Sequence, residues 1–132
     1  MKLYVLKSIR TNNFNDDNLM EKINAMWEVS SRELGNYQNT IYGLYYDYES
    51  DYKGDYSLCV AIEEGAGTSL IDIPENINYE IFKVDTMGEQ GVVKSWGKIW
   101  ELEEAGELER TYTYDFEKYY PNGEIEIHVA LK

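Results

Sequence analysis

The hydrophobic and polar positions fall into two similar series along the chain. In the first series, residues 3–9 alternate as a strand does. A helix is predicted from Leu19, after a cap at Asp16 or Asp17, because apolar residues then recur at the spacing of one helix face. The apolar positions are Leu19, Ile23, Met26, Trp27 and Leu34. A glycine and an asparagine stop this helix, and residues 41–48 and 56–62 read as two strands.

The second series repeats this order after a segment, residues 65–76, that reads as a linker. Residues 79–84 form the predicted strand, and a second helix follows that ends at Gly106. The positions that mark this helix are Val92, Val93, Trp96, Ile99, Trp100 and Glu103. Residues 110–119 and 124–131 are the last two predicted strands, joined by a proline-asparagine-glycine turn.

A short repeated motif supports the interpretation that one βαββ unit occurs twice. Tyr46-Asp47-Tyr48-Glu49 in the first half resembles Tyr114-Asp115-Phe116-Glu117 in the second. The prediction is therefore an α+β fold, with a mostly antiparallel sheet and two helices on one face. Residues 1–132 form one predicted domain, with pseudo-repeats at about 1–64 and 77–132.

The composition changes this picture by adding charge and aromatic rings. The net charge is −13, and the chain has 13 tyrosines and 3 tryptophans. Nucleic-acid sites need clustered Lys and Arg, which the sequence lacks, so direct nucleic-acid binding is not expected. Anionic membrane surfaces are disfavoured for the same reason, whereas positive ligands or basic partner surfaces are favoured.

The single cysteine, Cys59, lies inside a predicted strand and reads as a small core residue. One cysteine cannot form an internal disulfide, so a reducing cytoplasm is the expected compartment. The N-terminal residues do not have the apolar run of a signal peptide, and no segment approaches the length that spans a bilayer.

Most catalytic and metal-binding motifs are missing from the sequence. His128 is the only histidine, and there is no G-x-S-x-G motif, so a histidine metal cluster or an esterase elbow is not expected. The acidic turn from Asp47 has Tyr52 where an EF-hand needs glycine. Gly65-Ala66-Gly67 lacks the third glycine of a dinucleotide loop. The sequence therefore predicts neither a metal nor a cofactor, and leaves Glu117 with a tyrosine as the candidate catalytic group.

Strand alternation leaves two interpretations open for Glu117. In a strand over residues 110–119 it shares a face with Thr113, Asp115 and Tyr119, opposite Tyr112. A carboxylate on such a face most often points to solvent. The alternative is a carboxylate at the floor of an aromatic cleft, where it could hold an organic cation or act as a base.

The tryptophans also have two interpretations. Trp96 and Trp100 are four residues apart and share one helix face, and Trp27 occupies the equivalent place on the first helix. Core packing against the sheet is the common role of such residues, and a pocket wall is the alternative.

Several segments together resemble the gyrase-inhibitor-like small-molecule-binding family, which is also the effector-binding domain of AraC-type and multidrug-responsive transcription activators. Residues 41–50 resemble the first-repeat strand and turn, and Ile73-Pro74 with residues 79–82 resembles the opening of the second repeat. Residues 96–100 resemble the second-helix tryptophan pattern, and residues 115–119 resemble the late F-E-x-Y motif. The last strand also resembles that of the family, although this chain has Ala130 near the position where the family usually has a proline.

The resemblance implies a duplicated βαββ fold with a central ligand groove between the halves. It implies that Glu117 contacts a small, hydrophobic, cationic ligand there, with aromatic residues as walls. The expected ligand-binding residues are Glu117, Trp96, Trp100, Tyr45, Phe82, Tyr112, Tyr119 and Trp27. The chain resembles free-standing members without a helix-turn-helix segment, so the expected function is a sensor or regulator related to transcription activators, rather than an enzyme.

Two other functions stay open. Some relatives in the resembled family are hydrolases of cyclopropane-bearing electrophiles, for which Glu117 would activate water with help from Tyr45 or Tyr112. Other members of the resembled family bind protein partners. In such a role the acidic surface of this chain could mimic nucleic acid towards a basic partner such as DNA gyrase, or the chain could act together with a DNA-binding regulator.

Overall fold

The structure is a computed structural model that describes residues 1–64, 69–88 and 90–132. Its elements run in the order β1 (Lys2–Thr11), α1 (Leu19–Leu34), β2 (Ile41–Tyr46), β3 (Tyr56–Ile62), β4 (Ser69–Asp72), β5 (Asn78–Lys83), α2 (Gly91–Glu104), β6 (Asp115–Tyr119) and β7 (Ile125–Leu131). The predicted α+β fold with two βαββ units is confirmed. None of the helices in the described part of the chain is long and apolar enough to cross a bilayer.

The seven strands form one sheet in the order β4-β1-β3-β2-β6-β7-β5, and every neighbouring pair is antiparallel. The first unit contributes β1-β3-β2 and the second contributes β6-β7-β5, so the two halves mirror one another around the β2–β6 pair. The duplication seen in the sequence is therefore visible in the strand order, with β4 as an additional edge strand.

Both helices lie on the same face of the sheet. Met26 of α1 packs on Tyr56, Leu58 and Val60 of β3. On α2, Trp96 and Ile99 form a buried cluster with apolar residues of β7 and the end of β5, namely Ile127, Val129 and Val84. Because α1 covers β1 and β3 while α2 covers β7 and β5, the helices leave the central strands β2 and β6 between them.

The opposite face of the sheet holds a second layer of core, formed by Leu3, Tyr42, Leu44, Cys59, Ala61, Ile73 and Phe116. The short connection from β4 to β5 explains how this face is covered. In a flat sheet, six strand spacings would separate these edge strands by about 29 Å. The six steps from Asp72 to Asn78 reach only about 21 Å, so the sheet must curl towards this face.

Three local predictions differ from the structure, namely the linker, the cap of α1 and the strand over residues 110–119. Residues 65–68, including the glycine-rich start of the predicted linker, lie outside the described residues, and the rest of that segment contains β4, which the pattern did not indicate. Neither Asp16 nor Asp17 caps α1, whose N-cap is Asn18. The side chain of Asp16 accepts hydrogen bonds from Asn18 N, from Thr11 Oγ1 of β1 and from Lys22 Nζ of α1. The two copies of the tetrapeptide also differ in position: one begins at the last residue of β2, and the other begins one residue before β6.

The predicted strand over residues 110–119 is wrong in its first half, because β6 begins only at Asp115. Arg110 forms an isolated bridge with Leu131, and Tyr112 then takes a left-handed φ of 55° that interrupts the strand. The side chain of Arg110 reaches Asp115 at 2.8 Å. This contact between residues five apart holds the segment as a loop, so simple alternation of faces does not extend back to Tyr112.

Candidate ligand-binding site

A cavity of about 320 Å³ lies between the two helices, above the central strands. Its floor contains Tyr45 of β2 and Glu117 of β6, whose side chains point to the helix face of the sheet. A volume of this size is at the lower end of the range for small-molecule sites. The cavity therefore arises from the fold itself, since each helix covers only its own half of the sheet.

Aromatic rings form most of the wall. The rings that line the cavity are Phe14, Trp27, Tyr45, Tyr48, Tyr52, Tyr56, Trp96, Trp100 and Tyr119. Several pack edge to face, with ring centroids 5.2 Å apart for Trp27 and Tyr119 and 5.1 Å apart for Tyr45 and Trp96. Such pairs fix the rings in place, so the cavity presents a largely preformed apolar surface.

Glu117 is buried at the floor, with only 5% of its surface exposed. Its Oε2 accepts hydrogen bonds from the Tyr45 hydroxyl at 2.6 Å and from Trp96 Nε1 at 2.8 Å. Its Oε1 accepts one from the Tyr119 hydroxyl at 2.6 Å. None of the basic side chains in the described ranges forms an ion pair with it. The structure thus places Glu117 in the aromatic cleft, not on a solvated face.

The three partners of Glu117 are held as donors. Burial, and then the nearby Glu117 charge, raise the pKa of Tyr45 well above its ordinary value, and the same two causes raise the pKa of Tyr119. Both phenols therefore stay protonated at neutral pH, and an indole N–H is only ever a donor. The three donors satisfy most of the hydrogen-bonding capacity of the carboxylate, but they do not supply a positive charge.

Gly43 makes room for this carboxylate. It lies directly opposite Glu117 in the β2–β6 ladder. A Cβ atom at this position would come within 2.9 Å of Glu117 Oε1, which is closer than van der Waals contact allows. Glycine in the middle of a strand commonly marks such a close approach, and here the side chain of Glu117 lies over it.

A second buried carboxylate, Asp115, lies next to the cavity on the same face of β6. Its Oδ2 accepts hydrogen bonds from the Tyr48 hydroxyl at 2.5 Å and from Arg110 at 2.8 Å, and its Oδ1 accepts one from the backbone of Ala130 at 2.7 Å. Arg110 also donates to Glu103 of α2 at 2.8 Å. This network ties the loop before β6 to the end of α2 and to the first repeat.

The guanidinium of Arg110 is paired away from the cavity carboxylate. Burial opposes its charge, but Asp115 and Glu103 outweigh that effect and raise the pKa of Arg110. It also lies 4.3 Å from the ring centre of Tyr112 and 5.4 Å from that of Trp96. Two carboxylates, Asp115 and Glu103, thus pair with this buried cation, and neither ion pair includes Glu117.

The mouth of the cavity carries exposed apolar side chains. Phe14, Met20 and Val93 all line the cavity and are 57%, 60% and 63% exposed. At one end Tyr52 stacks on Trp100 with ring centres 5.2 Å apart, and its hydroxyl donates to Glu104 at 2.5 Å. This contact joins the β2–β3 loop of the first repeat to the end of α2.

The structure brings together six of the eight residues predicted for the site, which are Glu117, Trp96, Trp100, Tyr45, Tyr119 and Trp27. The other two lie elsewhere. Phe82 packs in the α2 cluster, because β5 is the edge strand beyond β7. Tyr112 lies outside the strand, where its hydroxyl donates to Glu103 and its ring packs edge to face on Tyr48.

Sequence reasoning missed four residues that shape the site: Gly43, Tyr48, Arg110 and Asp115. A signal existed for Gly43, since a glycine centred in a predicted strand often marks close packing. The others carry no local signal, because their contacts depend on which strands pair. No group of three or more His, Cys, Asp or Glu side chains in the described segments could hold a metal ion.

One comparison with known proteins identifies an effector-binding family. Residues 7–131 match the model of the family described as Cass2, integron-associated effector binding protein. The match confirms the effector-binding part of the resemblance drawn from the sequence. No curated protein sequence matches the chain significantly.

Two solved structures share the fold. One is an integron cassette protein from the mobile metagenome of Vibrio cholerae, with a TM-score of 0.77 and 25% identity, over 100% of this chain and 90% of that one. The other is a Staphylococcus aureus protein provisionally described as a bacterial transcription regulation protein, with a TM-score of 0.71 and 16% identity, over 100% of this chain and 92% of that one. At 16% identity the second likeness shows the fold alone.

Proposed function

The chain belongs to the Cass2 family of integron-associated effector-binding proteins, and on that premise we propose that its cavity binds lipophilic organic cations. The protein would act as a sensor or regulator that responds to such compounds. The observation that carries this proposal is the buried carboxylate of Glu117, which has hydrogen bonds from three donors but no cationic partner among the described residues.

A ligand cation would supply the missing positive charge. Removing an ionised carboxylate from water is costly unless it is paired. A ligand cation among the rings would also gain about 0.5–2 kcal/mol from each favourable cation–π contact. The network around Arg110 does not compete for this role, because its guanidinium is engaged by Asp115 and Glu103.

The charge of the whole molecule acts in the same direction. The net charge of −13 raises the local concentration of cations and repels anions. Salt screens this long-range effect but affects the buried Glu117 contact much less. We therefore expect association rates to fall with ionic strength more steeply than the final affinity does.

Tryptophan fluorescence tests the proposal, because all three tryptophans of the chain line the cavity. The probes are N-methylquinolinium and its uncharged isostere, methylnaphthalene. We expect a saturable change with both, and a tighter affinity for the cation. A response that never saturates, or equal affinity for the two probes, would argue against a cation site.

A second candidate function is favoured by the hydrogen bond of 2.6 Å between Tyr45 and Glu117. In a hydrolase of cyclopropane-bearing electrophiles, Glu117 would accept the proton from an attacking water, and Tyr45 would donate a proton to the carbon that leaves as the ring opens. Tyr112 is less suited to this role because it is bonded to Glu103. Turnover of such an electrophile by the protein, with loss of turnover in Glu117→Gln, would support catalysis; binding without turnover would support sensing.

A further inference from the structure

The hydrogen-bonding capacity of Glu117 is nearly used up before any ligand enters. An ionised carboxylate offers about four acceptor positions. Tyr45 and Trp96 occupy the two on Oε2, and Tyr119 occupies one on Oε1. A ligand therefore meets a negative charge with little acceptor capacity left.

The one remaining position is confined. It belongs to Oε1, the oxygen that lies against the backbone of Gly43, where even an added Cβ would come within 2.9 Å. The donors that occupy the other positions do not release them by ionising, because burial and the charge of Glu117 raise the pKa of Tyr45 and of Tyr119.

Other acceptors in the cavity are weak. Tyr48, Tyr52 and Tyr56 line it, and the hydroxyl of each already donates to another residue, namely Asp115, Glu104 and Asn13 in turn. The lone pairs left on a phenol oxygen bind an ammonium N–H less strongly than a carboxylate oxygen does. The carboxylates of Asp115 and Glu103 are engaged by Arg110.

From this geometry we propose that the site selects cations without N–H groups, such as quaternary ammonium or N-alkylated heteroaromatic ions, over protonated amines of the same shape. The inference rests on the proposed function and specifies its ligand class. A protonated amine gives up hydrogen bonds to water and finds no free strong acceptor among the described residues of the cavity, which costs binding energy. A quaternary cation has no such requirement, and its N-methyl groups can contact the ring faces.

A matched pair of ligands tests the inference. Calorimetry measures the affinities of trimethyl(naphthylmethyl)ammonium and of dimethyl(naphthylmethyl)ammonium, at a pH where the amine is fully protonated. We expect the quaternary ion to bind at least about tenfold more tightly, the effect of one unsatisfied charged donor. The two ions share one aromatic body and one charge, so the ratio isolates the N–H group.

A variant should weaken the preference by freeing an acceptor. Tyr119→Phe removes the donor to Oε1, so the amine should gain affinity relative to the quaternary ion, and the ratio should narrow by about threefold or more. Tyr120→Phe is the matched control, since that hydroxyl donates to Glu126 outside the cavity; its ratio should equal that of the unaltered protein. If Tyr119→Phe does not fold, Tyr45→Phe, which frees a position on Oε2, serves the same purpose.

The outcomes distinguish a failure of this ligand preference from a failure of the proposed cation site. Equal affinities, or a tighter amine, would overturn the inference and leave the proposed cation site intact. A ratio that does not change in the folded Tyr119→Phe or Tyr45→Phe variant would also overturn it. If neither ion binds, the proposed function fails and the inference fails with it.

Discussion

Replacing Gly43 by alanine perturbs the site without replacing any charged or aromatic side chain. The added Cβ would lie 2.9 Å from Glu117 Oε1, whereas ordinary contacts begin near 3.4 Å, so the carboxylate must move by a few tenths of an ångström. Three hydrogen bonds of 2.6 to 2.8 Å hold it in place, and movement away from β2 strains each of them.

The expected cost follows from those bonds. The loss of one hydrogen bond to a charged group costs about 1.5–3 kcal/mol. If the carboxylate leaves its position, a loss of similar size in its contact with the ligand would weaken the affinity about tenfold or more. We expect Gly43→Ala to lower the affinity for N-methylquinolinium by that factor and the free energy of unfolding by about 1–2 kcal/mol.

Shortening the carboxylate should relieve the clash. In the Glu117→Asp background the acidic group is one methylene shorter, so Gly43→Ala should cost little further stability or affinity. The double-mutant cycle, measured by urea unfolding and by calorimetry, should give a coupling of about 1 kcal/mol or more. The control is Gly97→Ala, at an open position within α2 with no atom within 4 Å, which should stabilise the protein by about 0.5–1 kcal/mol. Strictly additive effects of the two changes would refute the argument that Gly43 positions Glu117.

Three further predictions concern the rest of the buried polar groups. Asp115→Asn should lower the free energy of unfolding by about 3 kcal/mol or more, because it removes one of the two carboxylates that pair with the buried Arg110. The control, Glu28→Gln at an exposed position, should lower it by less than about 0.5 kcal/mol, and equal losses for the two variants in urea unfolding would contradict this. Burial raises the pKa of cavity tyrosines such as Tyr45, so the stability that these protonated tyrosines contribute is present below pH about 10 and is lost at higher pH. In a pH titration, tyrosinate absorbance should therefore rise at higher pH in the folded protein than in the urea-unfolded protein, and coincident curves would contradict this. Burial also raises the pKa of the Cys59 thiol to about 12, so alkylation at neutral pH should occur only as fast as the protein unfolds, and rapid labelling of the folded protein would show that the strand is open.

The elements of the fold were predictable because they depend on local periodicity. Both helices show apolar residues at helical spacing, and the buried Met26, Trp96 and Ile99 lie on the faces that the pattern indicated. The strand predicted over residues 110–119 was wrong in its first half, because the contact of Arg110 with Asp115, five residues further on, overrides the alternating pattern there. The buried ion pair of Arg110 and Asp115 shapes residues that read as a continuous strand.

The burial of Glu117 was not predictable from its own strand. Alternation gave its face but not what covers that face, which depends on the pairing of β2 with β6 and on the gap between the helices. The same limit explains Phe82, which was assigned to the cavity although its strand lies at the edge of the sheet. Pairing order is a property of the whole chain, and local sequence patterns contain little of it.

The Tyr45 and Tyr119 contacts show what the sequence could supply. Both were expected in the site as wall residues, and in the structure they are also hydrogen-bond donors to Glu117. Their residue type made a mixed apolar and polar role reasonable. Which end of each ring meets the carboxylate required the three-dimensional arrangement.

The central claim is that the buried charge of Glu117 recognises the positive charge of a ligand. The most direct measurement compares the calorimetric affinities of N-methylquinolinium and methylnaphthalene for the unaltered protein and for Glu117→Gln, with thermal unfolding to verify that the variant is folded. We expect the variant to lose at least about tenfold in affinity for the cation, as for other buried charge contacts, while its affinity for the neutral isostere stays within about twofold. An equal change for both ligands, or no change for the cation, would contradict the account.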